Sequence, residues 1–324
     1  MFNYLLHRLL HAPPIILGVM LITFLVFYVV QSPEAMARRI LGNKASAQAV
    51  ENWLHNRGYD KPRFFNTSPG QKLLDSQFFN HMKSLATFDL GVSDLTGERL
   101  VETFKRGAIP SLLITLPSFI AGISLGLALS LFFVFVRESA MDLGGTLLAV
   151  VLMSIPIMVY VIFGQWLIAV KLFYLPAFGF NLAGATTAKY LLLPILIMVL
   201  GGLGSDVRLY RAIFLEEIRQ DYVRTAQAKG VSSARMLFVH VLKNGMIALI
   251  TLVVASLPFL IMGSLVIESF FGIPGLGNLT LTAIRSSDFA TVRAVTYLGA
   301  LLYVGGLLLT DICYALVDPR IRFR

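Results

Sequence analysis

Hydrophobic positions in this chain gather into runs long enough to cross a bilayer, not into the shorter stripes of a soluble core. A window of about 20 residues, the length that crosses a hydrocarbon layer as helix, picks out six of them. They fall near residues 9–30, 109–136, 145–171, 188–209, 246–268 and 292–315. The stretch 31–106 is mixed in charge and rich in turn formers, as in "NRGYDKP" and "NTSPGQ". Within it Leu74, Phe78, Met82 and Leu85 recur at helical spacing, which predicts an amphipathic helix lying on the membrane surface. After the fourth run the pattern predicts a helical hairpin. Residues 209–228 continue the run outward, with Leu209, Ile213, Ile218 and Ala226 near one face. Gly230 can end that helix, because it adopts positive φ without steric cost. Ser232 or Ser233 then caps a second short helix, 233–243, with Met236, Leu237, His240 and Val241 on one face. The expected product is an exposed surface, part apolar and part basic.

Composition agrees with a membrane protein. Of 324 residues, 56% are hydrophobic and 14% charged, with a mean hydropathy of +0.76. A soluble chain would carry roughly a quarter charged residues. The fold class is all-α: a polytopic membrane protein of six helices. A net charge of +9 would suggest nucleic acid in a soluble protein. Here its distribution sets topology instead, and no nucleic-acid partner is expected. Arg211, Arg219, Arg224, Lys229, Arg235 and Lys243 crowd the loop after the fourth run, and Arg320, Arg322 and Arg324 end the chain. The loops after the third and fifth runs are nearly free of basic residues. Both termini and the 211–244 loop are therefore expected on the cytoplasmic side. A cleaved signal peptide ending at "AMA", 35–37, is the competing reading. The long apolar run and the Arg38-Arg39 pair that follows argue against it.

Few residues suggest chemistry. The single Cys313 forms neither a disulfide framework nor a CxxC site, and H-E-x-x-H and G-x-x-x-x-G-K-[ST] are absent. No catalytic, cofactor-binding or metal-binding residues are expected, and transport would need power from elsewhere. "GISLG" at 122–126 matches a nucleophile elbow around Ser124, but that elbow needs a strand-to-helix turn and this stretch is mid-run. Gly122 and Gly126 are better read as a G-x-x-x-G face that lets another helix approach. Lys171, Asp206, Arg208, Glu268 and Asp311 sit near run ends. Glu268 is the deepest, and is read as a structural charge that pairs with a nearby Arg or caps a backbone. Pro117, Pro156, Pro194 and Pro258 can kink their helices.

The stretch "DYVRTAQAKGVSSARMLFVHVLKN", 221–244, resembles the EAA coupling loop of type I ABC importer permeases, in the form found in dipeptide and oligopeptide systems. "YLLHRLL" (4–10), "FDLGVSDLTGERLVETFKRGAIPSLLITL" (88–116), "VIESFFGIPGLGNLTLTAI" (266–284) and "DICYALVDPRIR" (311–322) resemble the same family in order and spacing. Arg224 stands where the general loop has Glu, Leu242-Lys243 where it closes with Leu-Pro, and "QSPEAM" where a Pro-Gly-Asp-Pro turn is frequent. The resemblance implies a permease subunit that pairs with a second homologous permease and moves di- or oligopeptides. Two cytoplasmic ATPase subunits, which would hold the ATP and Mg, dock on the 221–244 loop, and an extracytoplasmic binding protein delivers cargo. The coupling residues it implies are Arg224, Ala226, Lys229, Gly230, Ser233, Arg235, Met236, Leu237, His240 and Lys243. The corresponding division is 1–30 (N-terminal end and first span), 31–106 (extracytoplasmic), 107–315 (transmembrane core) and 316–324 (cytoplasmic tail). Uptake of nickel or another small solute is the alternative within the class, and an intramembrane enzyme using Ser124 the remote one.

Overall fold

The computed structural model describes residues 2–317 except 31, 43, 68–70 and 182–186. Their regular structure is helical, apart from one isolated bridge between Val92 and Arg99. In order the helices are α1 (Phe2–Phe24), α2 (Pro33–Leu41), α3 (Ala47–Asn56), α4 (Gln77–Ala86), α5 (Leu100–Phe135), α6 (Ala140–Ser154) and α7 (Ile157–Gly164). They continue with α8 (Thr187–Ile218), α9 (Asp221–Ala228), α10 (Ser233–Arg235), α11 (Leu242–Met262), α12 (Leu265–Phe271), α13 (Leu276–Arg285) and α14 (Phe289–Val317). Wider π-helical turns extend α1 over Leu25–Val30 and α7 over Gln165–Lys171, and join α10 to α11 over Met236–Val241.

Five described helical stretches are long and apolar enough to cross a membrane, and a bent pair makes a sixth. That pair is the third run. α6 and the α7 segment meet at 89°, with Ile155 extended and Pro156 at the N-cap of α7. Proline clashes with a helical predecessor, which forces Ile155 out of the α region. The expected kink is a full break. Ser124 lies exposed in mid-helix in α5, with no strand or turn around it.

The described chain divides into two compact units. One comprises 2–108 and 279–308, the other 109–278 with the residues from 309 on. In the first unit the apolar face of α4 is covered by the chain's own helices. Its Leu85 is buried with Met20 of α1 and Tyr297 of α14, and the Tyr297 hydroxyl donates to the Leu85 carbonyl at 3.0 Å. Phe78 packs edge-on against Phe24, 5.1 Å between centroids. The helix begins only at Gln77, so Leu74 lies outside it and is exposed. A period of about 3.6 reports a buried face but not what covers it.

The loop before α5 is pinned to the start of α14. Asp288 accepts from Ser93 Oγ (2.5 Å), Thr291 Oγ1 (2.7 Å) and the backbone of Asp94 and Thr291 (3.0 and 3.1 Å). Asp94 accepts from Arg57 Nε (2.5 Å) and from the Ala290 amide (2.9 Å). One turn further, Arg293 Nη1 donates to the Tyr28 hydroxyl at 2.5 Å and the guanidinium lies over that ring.

His81 of α4 faces the same cluster, with Nε2 3.3 Å from Thr23 Oγ1 and its ring beside Tyr28 and Phe24. Burial, with the Arg293 charge second, pushes the imidazole down to about 3. Because its folded value lies below the unfolded one, this stabilisation is complete above pH 6.5 and is lost as pH falls through that value. At pH 5 the expected loss is about 2 kcal/mol, at 1.36 kcal/mol per pK unit. Thermal unfolding in detergent at pH 7.5 and 5 measures it. Replacing His81 by Gln should flatten the difference, and an equal pH drop in that variant would assign the loss to other groups.

In the second unit α6 packs closely on α8. A Cβ on Gly204 would lie 2.5 Å from the Ala149 carbonyl oxygen and 2.7 Å from the Met153 nitrogen, both backbone atoms of α6. No rotamer relieves such a clash. Gly204→Ala should therefore separate α6 from α8 and cost about 1–3 kcal/mol, the range for overpacking. An unchanged melting temperature in detergent would refute this close approach. Arg211, counted above among loop cations, instead grips Asp142 of α6 through Nε (2.8 Å) and Nη2 (2.7 Å).

Candidate functional site

The hairpin after α8 forms, and the face shared by Met236, Leu237, His240 and Val241 turns inward, not outward. α8 stops at Ile218, and the chain bends at Arg219–Gln220 before α9 begins. The Tyr222 hydroxyl ties α9 back to α8 by donating to Glu217 Oε1 at 2.6 Å. Burial, and then this bond, push that hydroxyl up to about 12. α9 ends in a Schellman turn. The Val231 amide donates to the Ala226 carbonyl (3.2 Å) and the Gly230 amide to that of Gln227 (2.9 Å), with Gly230 at φ 78°. Ser232, rather than Ser233, holds the N-cap position of α10, without a side-chain bond.

The second helix is not a separate short element. α10 passes through the π-helical stretch straight into α11, giving one helical run from Ser233 to Met262. Met236, Leu237 and Val241 are buried against Leu131 and Val134 of α5, Phe214 of α8 and Val223 of α9. The inward positions 237, 241, 245 and 249 recur every four residues. A turn wider than the α-helix keeps that spacing in phase and rotates His240 to a half-buried position. The exposed apolar face expected from Met236 and Leu237 is thus the hairpin's own core. The surface left outside carries Phe238 (56% exposed) and Val239 (49%). The exposed cations Arg224, Lys229, Arg235 and Lys243 lie along the same segment, as does exposed Ser233, while Ala226 is half-buried. Arg224 meets Asp221 at 3.5 Å, an exposed pair of little energetic weight.

Glu268 anchors the other end of α11. It is fully buried, and no Arg pairs with it among the described residues. Its Oε1 accepts from Ser111 Oγ (2.8 Å) and the Ser264 amide (3.0 Å), and its Oε2 from the Asn278 amide (2.9 Å). Ser111 in turn accepts from the Leu276 amide at 2.8 Å. Gly263 (φ 71°) breaks the helix beside the carboxylate, leaving no room for a Cβ. Of the two structural roles open to Glu268 in the sequence, the structure adopts the backbone cap.

The family described as the inner membrane component of binding-protein-dependent transport systems matches residues 118–323. The chain belongs to this family.

Among curated relatives, a glutathione transport system permease protein, GsiC, of Salmonella typhimurium is 30% identical across the whole of both chains. GsiC of Pectobacterium atrosepticum is 29% identical, again over all of both. A dipeptide transport system permease protein, DppB, of Alkalihalophilus pseudofirmus is 28% identical with the same full coverage. As a member of this family with five or six membrane-crossing stretches, the permease is a multi-pass inner membrane protein.

Gly122 and Gly126 of the permease receive side chains. A Cβ on Gly126 would stand 3.1 Å from Tyr210 and 3.2 Å from Asp206, both of α8. Gly122, with Asp206 and Tyr210, lines a cavity of about 450 Å³ between α5, α8 and α11. Sequence reading placed Asp206 at a span end, but α8 continues to Ile218 and leaves this carboxylate inside the helix, on the cavity wall. Phe238, Val239 and Ser111 also escaped it. The spacing that puts Met236, Leu237, His240 and Val241 on one face leaves Phe238 and Val239 opposite it, but does not tell which face is covered, and Ser111 lies 157 residues from its partner Glu268.

Proposed function

We infer that this permease carries peptides inward across the membrane, driven by ATPase subunits that dock on the exposed surface of the 221–243 hairpin. The observation that carries the cargo assignment is similarity along the entire chain to permeases named for glutathione and dipeptide transport. The hairpin supports the docking. Its inner face is committed to the chain's own core, so it is held rigidly, while Phe238 and Val239 stand outside among cations. A rigid projection can pass a partner's motion on to the helices it grows from, α8 and α11. In this reading the hairpin and both termini face the cytoplasm, as the loop charges suggest. A second homologous permease completes the translocation path, two ATPases hold the ATP and Mg, and an extracytoplasmic binding protein supplies cargo.

Uptake by a strain lacking this gene tests the cargo. Labelled glutathione, di- and tripeptides and nickel ion are offered in parallel. Loss of one or more peptides with unchanged nickel uptake is expected. Lost nickel with every peptide retained would overturn the assignment.

A further inference from the structure

The cavity between α5, α8 and α11 has an uneven chemistry. Asp206 lies on its wall, half-buried, with neither an ion-pair nor a hydrogen-bond partner among the described residues. Its carboxylate occupies a notch walled by glycines. Oδ2 would be 3.9 Å from a Cβ on Gly122 and 3.6 Å from one on Gly202. The aliphatic hydroxyls of the wall have already spent their protons. Thr115 donates to the Leu260 carbonyl (2.7 Å) and Ser118 to that of Ile114 (2.5 Å). Ser256 donates to the Val253 carbonyl at 2.8 Å. Each has one proton and two lone pairs, so these three leave an occupant acceptor capacity, and the Tyr210 phenol on the same wall can accept as well as donate. No Lys, Arg or His lines the cavity. Its volume falls within the range of small-ligand pockets, about 300–1,000 Å³.

A carboxylate without a partner in a membrane helix is costly to keep and points to a role outside the folded chain's own contacts. The glycines at 122 and 202 leave the carboxylate open to the cavity, where a larger side chain would stand against it. We propose that Asp206 makes this cavity a transit site for a primary ammonium group, the free amino terminus of a peptide. Carboxylate and hydroxyl lone pairs match the three N–H donors of that group, and the wall offers no cation to hold a peptide's carboxylate. The site would be used once per crossing and would hold its cargo weakly, through one charged contact. This rests on the peptide reading above, and it adds which end of the cargo the chain itself recognises.

Two experiments on the assembled complex test it. In the purified complex without binding protein, dicyclohexylcarbodiimide should label Asp206, as read by mass spectrometry. Trialanine should slow that labelling and N-acetyl-trialanine should not. Equal protection by both, or by neither, overturns the proposal. So does an Asp206 that resists labelling in the complex yet reacts in the isolated chain, which would assign the carboxylate to a partner subunit's cation. In proteoliposomes, Asp206→Asn should lower the trialanine transport rate about tenfold, the order set by losing one charge-assisted contact. Asp206→Glu should restore most of it, and both variants should co-purify with the ATPases. Wild-type rates in the Asn variant contradict the proposal. A wild-type complex that moves no peptide would defeat the cargo assignment instead, and the protection result would still decide whether Asp206 binds an amine.

Discussion

Alanine at Glu268 is expected to unmake the junction of α11, α12 and α13 and to leave little stable protein after extraction from the membrane. Three donors lose their acceptor at once: the Ser111 hydroxyl and the amides of Ser264 and Asn278. An interhelical hydrogen bond in a membrane protein is worth only about 0.6 kcal/mol on average, because the unfolded chain also finds partners. These bonds differ in two respects. The acceptor is a carboxylate, and the site is closed to water, so each stranded donor costs about 1–3 kcal/mol. The sum is a large part of the roughly 5–15 kcal/mol that holds a folded domain together. Glu268→Gln should be milder. It keeps the volume and one acceptor oxygen but turns an NH2 group towards a backbone N–H. Thermal unfolding in detergent should rank the proteins wild type, Gln, Ala, with Ala lowest by a wide margin. Equal melting temperatures for all three would mean the cap contributes nothing.

The second large effect is functional. Aspartate at both Phe238 and Val239 should leave the chain folded, since both side chains are outside, but should break its hold on an ATPase. Aromatic anchors at interface centres cost about 2 kcal/mol or more when lost, so docking should weaken roughly thirtyfold or more. The informative contrast is Met236→Glu. Met236 is buried against α5, α8 and α9, so a carboxylate there attacks the hairpin's own core and should lower the melting temperature. Phe238→Asp/Val239→Asp should melt like the wild type and lose ATPase co-purification and transport together. A double variant that co-purifies and transports normally would remove the docking surface from the account.

The crossing helices were legible in the sequence because lipid imposes a simple rule: a backbone in hydrocarbon must satisfy itself as helix, and its side chains must be apolar for about 20 residues. Gly230 was legible for a similarly local reason, since a helix end at positive φ has few alternatives. What escaped depended on non-local geometry. Pro156 announced a kink but not its angle, 89°, between two segments that both pack on α8. The pattern set Phe238 and Val239 opposite Met236 and Leu237, but the packing of α5, α8 and α9 decides which of the two faces is covered. Gly122 and Gly126 had the spacing of a helix–helix contact, while the backbone-to-backbone approach falls at Gly204, in a run of glycines with no such spacing. The solitude of Asp206 is a property of its surroundings, and a sequence records only its presence.

On the reading proposed above, this chain moves peptide because ATPases push on its hairpin. The most direct measurement is ATP-dependent accumulation of labelled trialanine in proteoliposomes holding this chain, the second permease and both ATPases, with loaded binding protein outside the bilayer opposite the ATPases. Accumulation should need ATP and this chain, and should disappear in the Phe238→Asp/Val239→Asp protein while its ATPases stay active in solution. Accumulation that continues with the double variant, or without this chain, would contradict that reading.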